Sequence, residues 1–324
     1  RYKFNKVIMK KKYRFGLKNK RVWVAGHNGM VGKAILERLA KENCNIITVD
    51  RNQLNLTNQT KTYNWIKSKA PQVVILAAAK VGGILANKLD QTDFLYQNLM
   101  IQNNVIKSSA ECGVEKLIFL GSSCIYPKET KQPISETALL KSPLEKTNEG
   151  YALAKIAGLK LCSYLFKEHN KDFITVMPTN LYGPDDNFDL HTSHVLAALV
   201  HKVILAKLKK KSNVEIWGTG KPRREFLYVK DLADAVCFLA KNYSNESPIN
   251  VGTSKDISIK ELANIIAETV GWKGTFIFNK NMPDGTILKR LDTSKINKLG
   301  WKAKVDIKNG LKKTIKEFKS SLKT

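Results

Sequence analysis

Tyr151 and Lys155, in YALAK, stand four residues apart, which on a helix puts a phenol and an ammonium on one face. The lysine charge favours phenolate, so the pair predicts a tyrosine of lowered pKa working as an acid–base group. The spacing alone discriminates little, because Tyr2/Lys6 and Tyr63/Lys67 share it. What singles out Tyr151 is that it begins the helix-like segment after LGSSCIYPK, Leu120 to Lys128, where an apolar run ends in two serines and a cysteine. Ser122 or Ser123 is there placed to hydrogen-bond a substrate oxygen that Tyr151 protonates. A third group, GHNGMVG, has glycines at 26, 29 and 32 directly after the first apolar run. Missing side chains let backbone N–H groups and a helix N-terminus approach a pyrophosphate, so this turn predicts a dinucleotide site. About 20 residues on, where the ribose is read, stand Asp50 and Arg51. Asp50 suits the free hydroxyls of NAD, and Arg51 suits the 2′-phosphate of NADP.

The elements that must position these residues are legible as apolar runs. RVWVA, NIITV, QVVILA, KLIFL and FITVM alternate with helix-like segments, the pattern of a parallel sheet covered on both faces. The regularity ends after Met177 at PTNLYGPDDNF. Beyond it come a helix-like stretch from Ser193 to Leu208, a lysine run, the turn-rich IWGTGKPRREF, a helix opening at Asp231, a short strand PINVG and a helix-rich remainder. The expectation is an α/β chain. A doubly wound parallel sheet, the Rossmann arrangement, takes residues 20–179 plus about 226–258, and a smaller α/β substrate domain takes 180–225 and 259–324. Residues 1–19 read as a basic extension, with Met9 an internal or true start.

Composition excludes other classes. A chain with 43% hydrophobic residues can bury a core. No stretch approaches the roughly 20 apolar residues of a membrane span, and no secretory pattern is present, so a soluble cytoplasmic protein is expected. Cys44, Cys112, Cys124, Cys162 and Cys237 form no CxxC pair, which argues against disulfides and metal and for mostly buried, reduced thiols. The net charge of +27 invites nucleic acid, yet lysines are spread along the whole chain without arginine or aromatic clustering. A solvated surface that draws in an anionic substrate is the expectation, with no nucleic-acid partner.

GHNGMVG, LAAAKVGGI, LGSSCIYPK, the Tyr151/Lys155 pair, VMPTNLYGP and RREF, in order from about Lys20 to Trp301, resemble the extended short-chain dehydrogenase/reductases. LAAAKVGGI and GSSCIYPK are similar to the branch acting on GDP-4-keto-6-deoxy-D-mannose. The resemblance implies a homodimeric, NADPH-dependent enzyme that inverts C3 and C5 of that GDP-sugar and then reduces the C4 ketone, giving GDP-L-fucose. A C4 ketone acidifies the hydrogens on both neighbouring carbons, so inversion needs one group to remove a proton and another to return one on the opposite face. The resemblance puts this pair on Cys124 and His194, whose side chains have unperturbed pKa values of about 8.5 and 6.5. On their own, these residues read as a core thiol and a helix-start histidine.

Tyr151 then protonates the C4 alkoxide while Ser122 holds it, and Lys155 tunes Tyr151 and binds the nicotinamide ribose. The implied NADP(H) site comprises Gly26, His27, Asn28, Gly29, Met30, Val31, Gly32, Arg51, Leu120, Gly121, Ser122, Ser123, Lys155, Pro178, Thr179, Asn180, Leu181 and His194. The implied GDP-sugar site comprises Lys202, Trp217, Arg224, Asp284 and Lys289, with Arg224 as a bidentate pyrophosphate clamp. Asn28 and Lys202 depart from relatives that can carry arginine there. Alternatives within the fold are a nucleotide-sugar 4-epimerase, which needs no Cys/His pair, a dehydratase, which calls for acids near Ser123-Cys124, and a reductase of a related GDP-sugar. Outside it stands a non-enzymatic basic binding protein, against which Ser122, Tyr151 and Lys155 argue.

Overall fold

The computed structural model describes residues 13–190, 192–282 and 284–322; residues 1–12 of the expected extension lie outside them. The five apolar runs form β1 (Arg21–Ala25), β2 (Asn45–Ile47), β3 (Val73–Leu76), β4 (Lys116–Leu120) and β5 (Asp172–Pro178), all parallel. β9 (Ile249–Val251), from PINVG, joins β5, giving the order 2-1-3-4-5-9. β1, β3, β4 and β5 each serve two cores, because successive side chains point to opposite faces. Val22, Val24, Ile118 and Leu120 pack beneath α1 (Met30–Leu39) and α7 (Val229–Asn242). Trp23, Ala25, Leu117 and Phe119 pack beneath α2 (Gln59–Lys69), α4 (Gln91–Glu111) and α5 (Glu149–His169). Burial on both faces is why these strands read as unbroken apolar runs.

The edge of the sheet away from the strand C-termini holds a buried cation. Lys116 Nζ donates to both carboxylate oxygens of Asp172 at 2.8 Å and to the Tyr243 carbonyl, and Tyr13 also donates to Asp172. Burial outweighs the carboxylate and pulls the Lys116 pKa down to about 8. Residues 13–19, expected within the extension, lie against this body: Leu17 is buried in the first core and the Phe15 N–H donates to the Lys241 carbonyl.

The second layer is built around β8 (Arg223–Tyr228). It pairs in parallel with β6 (Asn180–Tyr182) and β12 (Leu288–Lys289), and antiparallel with β10 (Asp256–Ser258). β7 (Asn213–Trp217) and β11 (Thr275–Asn279) form a separate parallel ribbon. Helices α6 (Val195–Leu208), α8 (Ile259–Val270) and α10 (Ile307–Ser321) bury Leu199, Val203, Leu262, Ile266, Leu311 and Ile315 in the third core. Two short helices, α3 (Ile84–Leu89) and α9 (Ser294–Leu299), complete the order. Ile296 of α9 and Trp301 join the core of the large sheet, although they fall in the stretch expected in the second domain. Cys162 and Cys237 are buried, whereas Cys44, Cys112 and Cys124 are partly exposed, so fewer thiols serve as core than expected. Among the described residues no helix is long and apolar enough to cross a membrane.

Candidate active site

The strand order reverses between β1 and β3, the switch point where open α/β sheets receive their ligands. Gly26, at φ +87°, follows β1 there, and a Cβ on it would lie 2.6 Å from the Ala78 nitrogen. A Cβ on Gly32 would lie 2.1 Å from the Gly26 carbonyl oxygen, so this glycine lets α1 settle on the turn. Gly29 caps α1 without a side-chain hydrogen bond, and His27 and Asn28 complete the turn before Met30 and Val31 open the helix. The first N–H groups of α1 therefore face outward without a side-chain acceptor, as an anion site requires. Asn28 Nδ2 donates to Asp50 Oδ1 at 2.7 Å, and His27 Nε2 lies 3.5 Å from the same oxygen. Arg51 is exposed beside them.

The end of β4 supplies the second cluster. A Cβ on Gly121 would lie 2.4 Å from Met177 Sδ, so β4 and β5 end in close approach. Ser122 Oγ accepts from the Cys124 N–H at 3.2 Å, capping the one-turn helix Ser123–Ile125, and its hydroxyl also bonds the Tyr151 phenol. Ser123 is buried and Cys124 partly exposed. Tyr151 sits in the first turn of α5 with its ring edge-on to Phe94 at 6.4 Å. Lys155, one turn on and 4% exposed, donates to the Leu120 carbonyl at 2.9 Å, with Nζ 4.7 Å from the Phe119 ring centre and 5.8 Å from that of Tyr151.

The electrostatics correct one expectation. Tyr151 has a raised pKa: burial pushes it up, Cys124 adds to the rise, and the Ser122 hydrogen bond pulls it back. Lys155 is itself pulled down to about 7 by burial, so near neutrality it is a weak source of positive field. Tyr151 is therefore set to give a proton at neutral pH rather than to rest as phenolate.

The second layer brings the remaining residues. Arg224 on β8 has its guanidinium against Gly285, next to Asp284, and burial lowers its pKa. Lys289 on β12 is in register with Arg224. Asp284 is held by the Thr219 N–H at 2.6 Å and hydroxyl at 2.8 Å. Lys202 Nζ lies 5.8 Å from the ring centre of Trp217, which is 44% exposed at the end of β7. Pro178 ends β5. Thr179 Oγ1 and Asn180 Nδ2 both donate to the Glu225 carbonyl, and Leu181 packs against the first core.

His194 is the N-cap residue of α6, and no hydrogen bond among the described residues joins its ring to Cys124 or Tyr151. It keeps an exposed surface, yet the protein around its ring lowers its pKa. Its segment is bonded to the loop before α3 through the Gly83 N–H, which donates to the Thr192 carbonyl at 2.8 Å.

Sequence reasoning missed Glu225. This fully buried carboxylate accepts from the N–H groups of Thr253 at 2.5 Å, Ser254 at 2.7 Å and Leu291 at 2.7 Å, tying two loops to the strand that carries Arg224. Only its place in RREF hinted at it. Asn98 was missed too; it holds the loop after β3 by accepting from the Lys80 N–H and donating to its carbonyl, both at 2.9 Å.

The chain is similar over nearly its whole length to known proteins. The pattern of the NAD dependent epimerase/dehydratase family matches residues 22–252. A GDP-L-fucose synthase from Sinorhizobium fredii is 51% identical over 306 residues, covering 94% of this chain and 98% of that protein. Among solved structures, a GDP-6-OMe-4-keto-L-xylo-heptose reductase from C. jejuni is 37% identical with a TM-score of 0.90, covering 95% of this chain and 100% of the other. A GDP-L-fucose synthetase from Naegleria fowleri bound to NADP is 27% identical with a TM-score of 0.89, covering 97% and 98%.

Proposed function

The chain belongs to the NAD dependent epimerase/dehydratase family, and from that premise we propose that it converts GDP-4-keto-6-deoxy-D-mannose to GDP-L-fucose by inversion at C3 and C5 and reduction at C4 with NADPH. One observation carries the reading. The Ser122–Tyr151 hydrogen bond suits any ketone reductase of this fold, and beside it stands a thiol, Cys124, near enough to raise the Tyr151 pKa, for which simple reduction has no use.

The glycine turn, the uncapped start of α1 and the exposed Arg51 fit a dinucleotide phosphate. When bound, NADPH supplies the hydride that C4 receives. Tyr151, protonated at neutral pH, gives its proton to the oxygen developing on C4, and Ser122 holds that oxygen. Cys124 and His194 move the protons at C3 and C5, one removing and the other returning; the lowered pKa of His194 keeps its imidazole neutral at pH 7. Arg224 and Lys289, in register on neighbouring strands, receive the pyrophosphate.

Tyr96 on α4 and Leu153 and Tyr164 on α5 are 61%, 44% and 51% exposed. Leu153 and Tyr164, eleven residues apart, share one helix face. This patch supports a homodimer through α4 and α5, in a cytoplasmic biosynthetic enzyme. The likeness to the heptose reductase favours, as a second reading, the same chemistry on another GDP-4-keto sugar.

Purified protein supplied with verified GDP-4-keto-6-deoxy-D-mannose is expected to oxidise NADPH and release GDP-L-fucose, identified by NMR. Oxidation with a GDP-keto-heptose alone selects the second reading, and no oxidation with either ketone sinks both. Tyr151→Phe is expected to slow reduction about 10²-fold or more.

A further inference from the structure

Gly83, from LAAAKVGGI, is left without a role by the reading above. We propose that Gly83 is a positioning residue for epimerisation: its bare Cα seats the backbone of residues 192–194 and so sets where His194 stands. The proposal rests on the reading of His194 as one of the two proton-moving groups.

Three observations carry it. A Cβ built on Gly83 would lie 2.4 Å from the Ser193 carbonyl oxygen and 3.4 Å from that of Thr192, both backbone atoms that cannot swing aside like a side chain. The Gly83 N–H already donates to the Thr192 carbonyl at 2.8 Å, so the two segments are bonded as well as touching. The backbone of Gly83 itself is at φ −68° and ψ −179°, extended geometry that alanine adopts freely. Nothing in the local conformation calls for glycine here. The requirement comes wholly from the segment across the gap.

That segment is knit on its other side. The Thr192 N–H and hydroxyl both donate to Asp189 Oδ1 at 2.9 Å, Asn187 Nδ2 donates to Thr192 Oγ1 at 2.9 Å, and the Ser193 N–H donates to the Asp189 carbonyl at 3.0 Å. Gly83 is equally held, because Asn87 donates from its side chain to the Gly82 and Gly83 carbonyls. A methyl group wedged between two such bodies displaces one of them as a unit. Relief from 2.4 Å to the shortest contact real Cβ atoms tolerate, 3.0 Å, takes roughly 0.6 Å of movement, and His194 follows Ser193 directly in the chain. Misplacing a reacting group by about 1 Å costs on the order of 10²-fold, so a shift of this size is expected to cost roughly tenfold. Ser122, in the turn after β4, and Tyr151 and Lys155 on α5 lie on other segments of the chain.

The test separates the two half-reactions. Incorporation of solvent deuterium at C3 and C5 of the ketone, measured with NADP⁺ so that reduction does not compete, reads proton movement; single-turnover NADPH oxidation reads reduction. Gly83→Ala is expected to lower deuterium incorporation roughly tenfold or more while NADPH affinity and Tm stay near wild type. Gly82→Ala, on the same turn, meets only the Phe94 and Ala86 side chains at 3.0 and 3.1 Å and is expected to retain incorporation within about threefold. Thr192→Val, which removes the hydroxyl's bonds to Asp189 and Asn187 and so loosens the segment on its other side, is expected to lower incorporation in the same sense; undiminished incorporation there shows that the seating of residues 192–194 does not govern His194 and overturns the proposal even if Gly83→Ala does not fold. Wild-type incorporation in Gly83→Ala, or equal loss of incorporation and NADPH binding, overturns the proposal. His194→Gln is run alongside: undiminished incorporation there refutes the role of His194 itself, whereas a loss in His194→Gln with none in Gly83→Ala refutes only the role of Gly83.

Discussion

Asp50 is held toward the glycine turn by Asn28, with His27 close by, and Arg51 beside it is exposed, the group proposed to meet the ribose end of the coenzyme. A guanidinium facing a 2′-phosphate is a charge-assisted pair of about 1.5–3 kcal/mol. Arg51→Ala is therefore expected to lower kcat/KM with NADPH about tenfold or more while leaving NADH nearly unchanged, by steady-state kinetics with both coenzymes. An equal fall with both would place the 2′-phosphate elsewhere. The neighbouring letters Asp-Arg were ambiguous in the sequence because preference depends on which side chain is already engaged, and the partner of Asp50, Asn28, lies 22 residues before it. The same holds for Tyr151. Its spacing to Lys155 was legible, but its pKa follows from burial, a property of the packed molecule.

At the scale of elements, β8 organises the second layer, to which the proposed GDP-sugar residues belong. Glu225 binds the loop after β9 and the chain after β12, which holds Lys289 beside Arg224. Glu225→Gln sets an amide N–H among backbone donors, and one buried donor left unpaired costs about 1–3 kcal/mol. The expected outcome is a Tm lowered by several degrees and a raised KM for the GDP-sugar at unchanged KM for NADPH, by calorimetry and steady-state kinetics. A KM change for NADPH alone would contradict it. β1, β3, β4 and β5 were legible as apolar runs because both faces are buried. β6, β10 and β12 span three, three and two residues and carry too little pattern. Glu225 gave no signal of its own in RREF, since its donors lie 28, 29 and 66 residues away.

For the molecule as a whole, the two lysines buried among the described residues, Lys116 and Lys155, govern stability against pH. Lys116 titrates near 8 in the fold and near 10.4 when unfolded, so between those values the unfolded chain binds more protons and stability rises with pH. Lys155, near 7, acts in the same sense from lower pH. The buried phenols of Tyr126, Tyr151 and Tyr182 have raised pKa values, so above about 10 the unfolded chain loses protons first and stability falls. The urea midpoint is expected to climb from pH 7 to about 9.5 and then drop, with Lys116→Met flattening the climb between 8 and 10 and sparing the drop. An unaltered climb would show that Lys116 keeps an ordinary pKa. The lysines spread over the surface contribute the +27 charge and no comparable slope, being solvated in both states.

The two-faced packing of β4 has a consequence for inheritance. Leu117 and Phe119 lie under the helix that carries Tyr151 and Lys155, while Ile118 and Leu120 lie under the helix that starts at the glycine turn. Missense changes in adjacent codons of this five-residue strand should therefore sort into two phenotypic classes, one failing in proton delivery and the other in coenzyme capture.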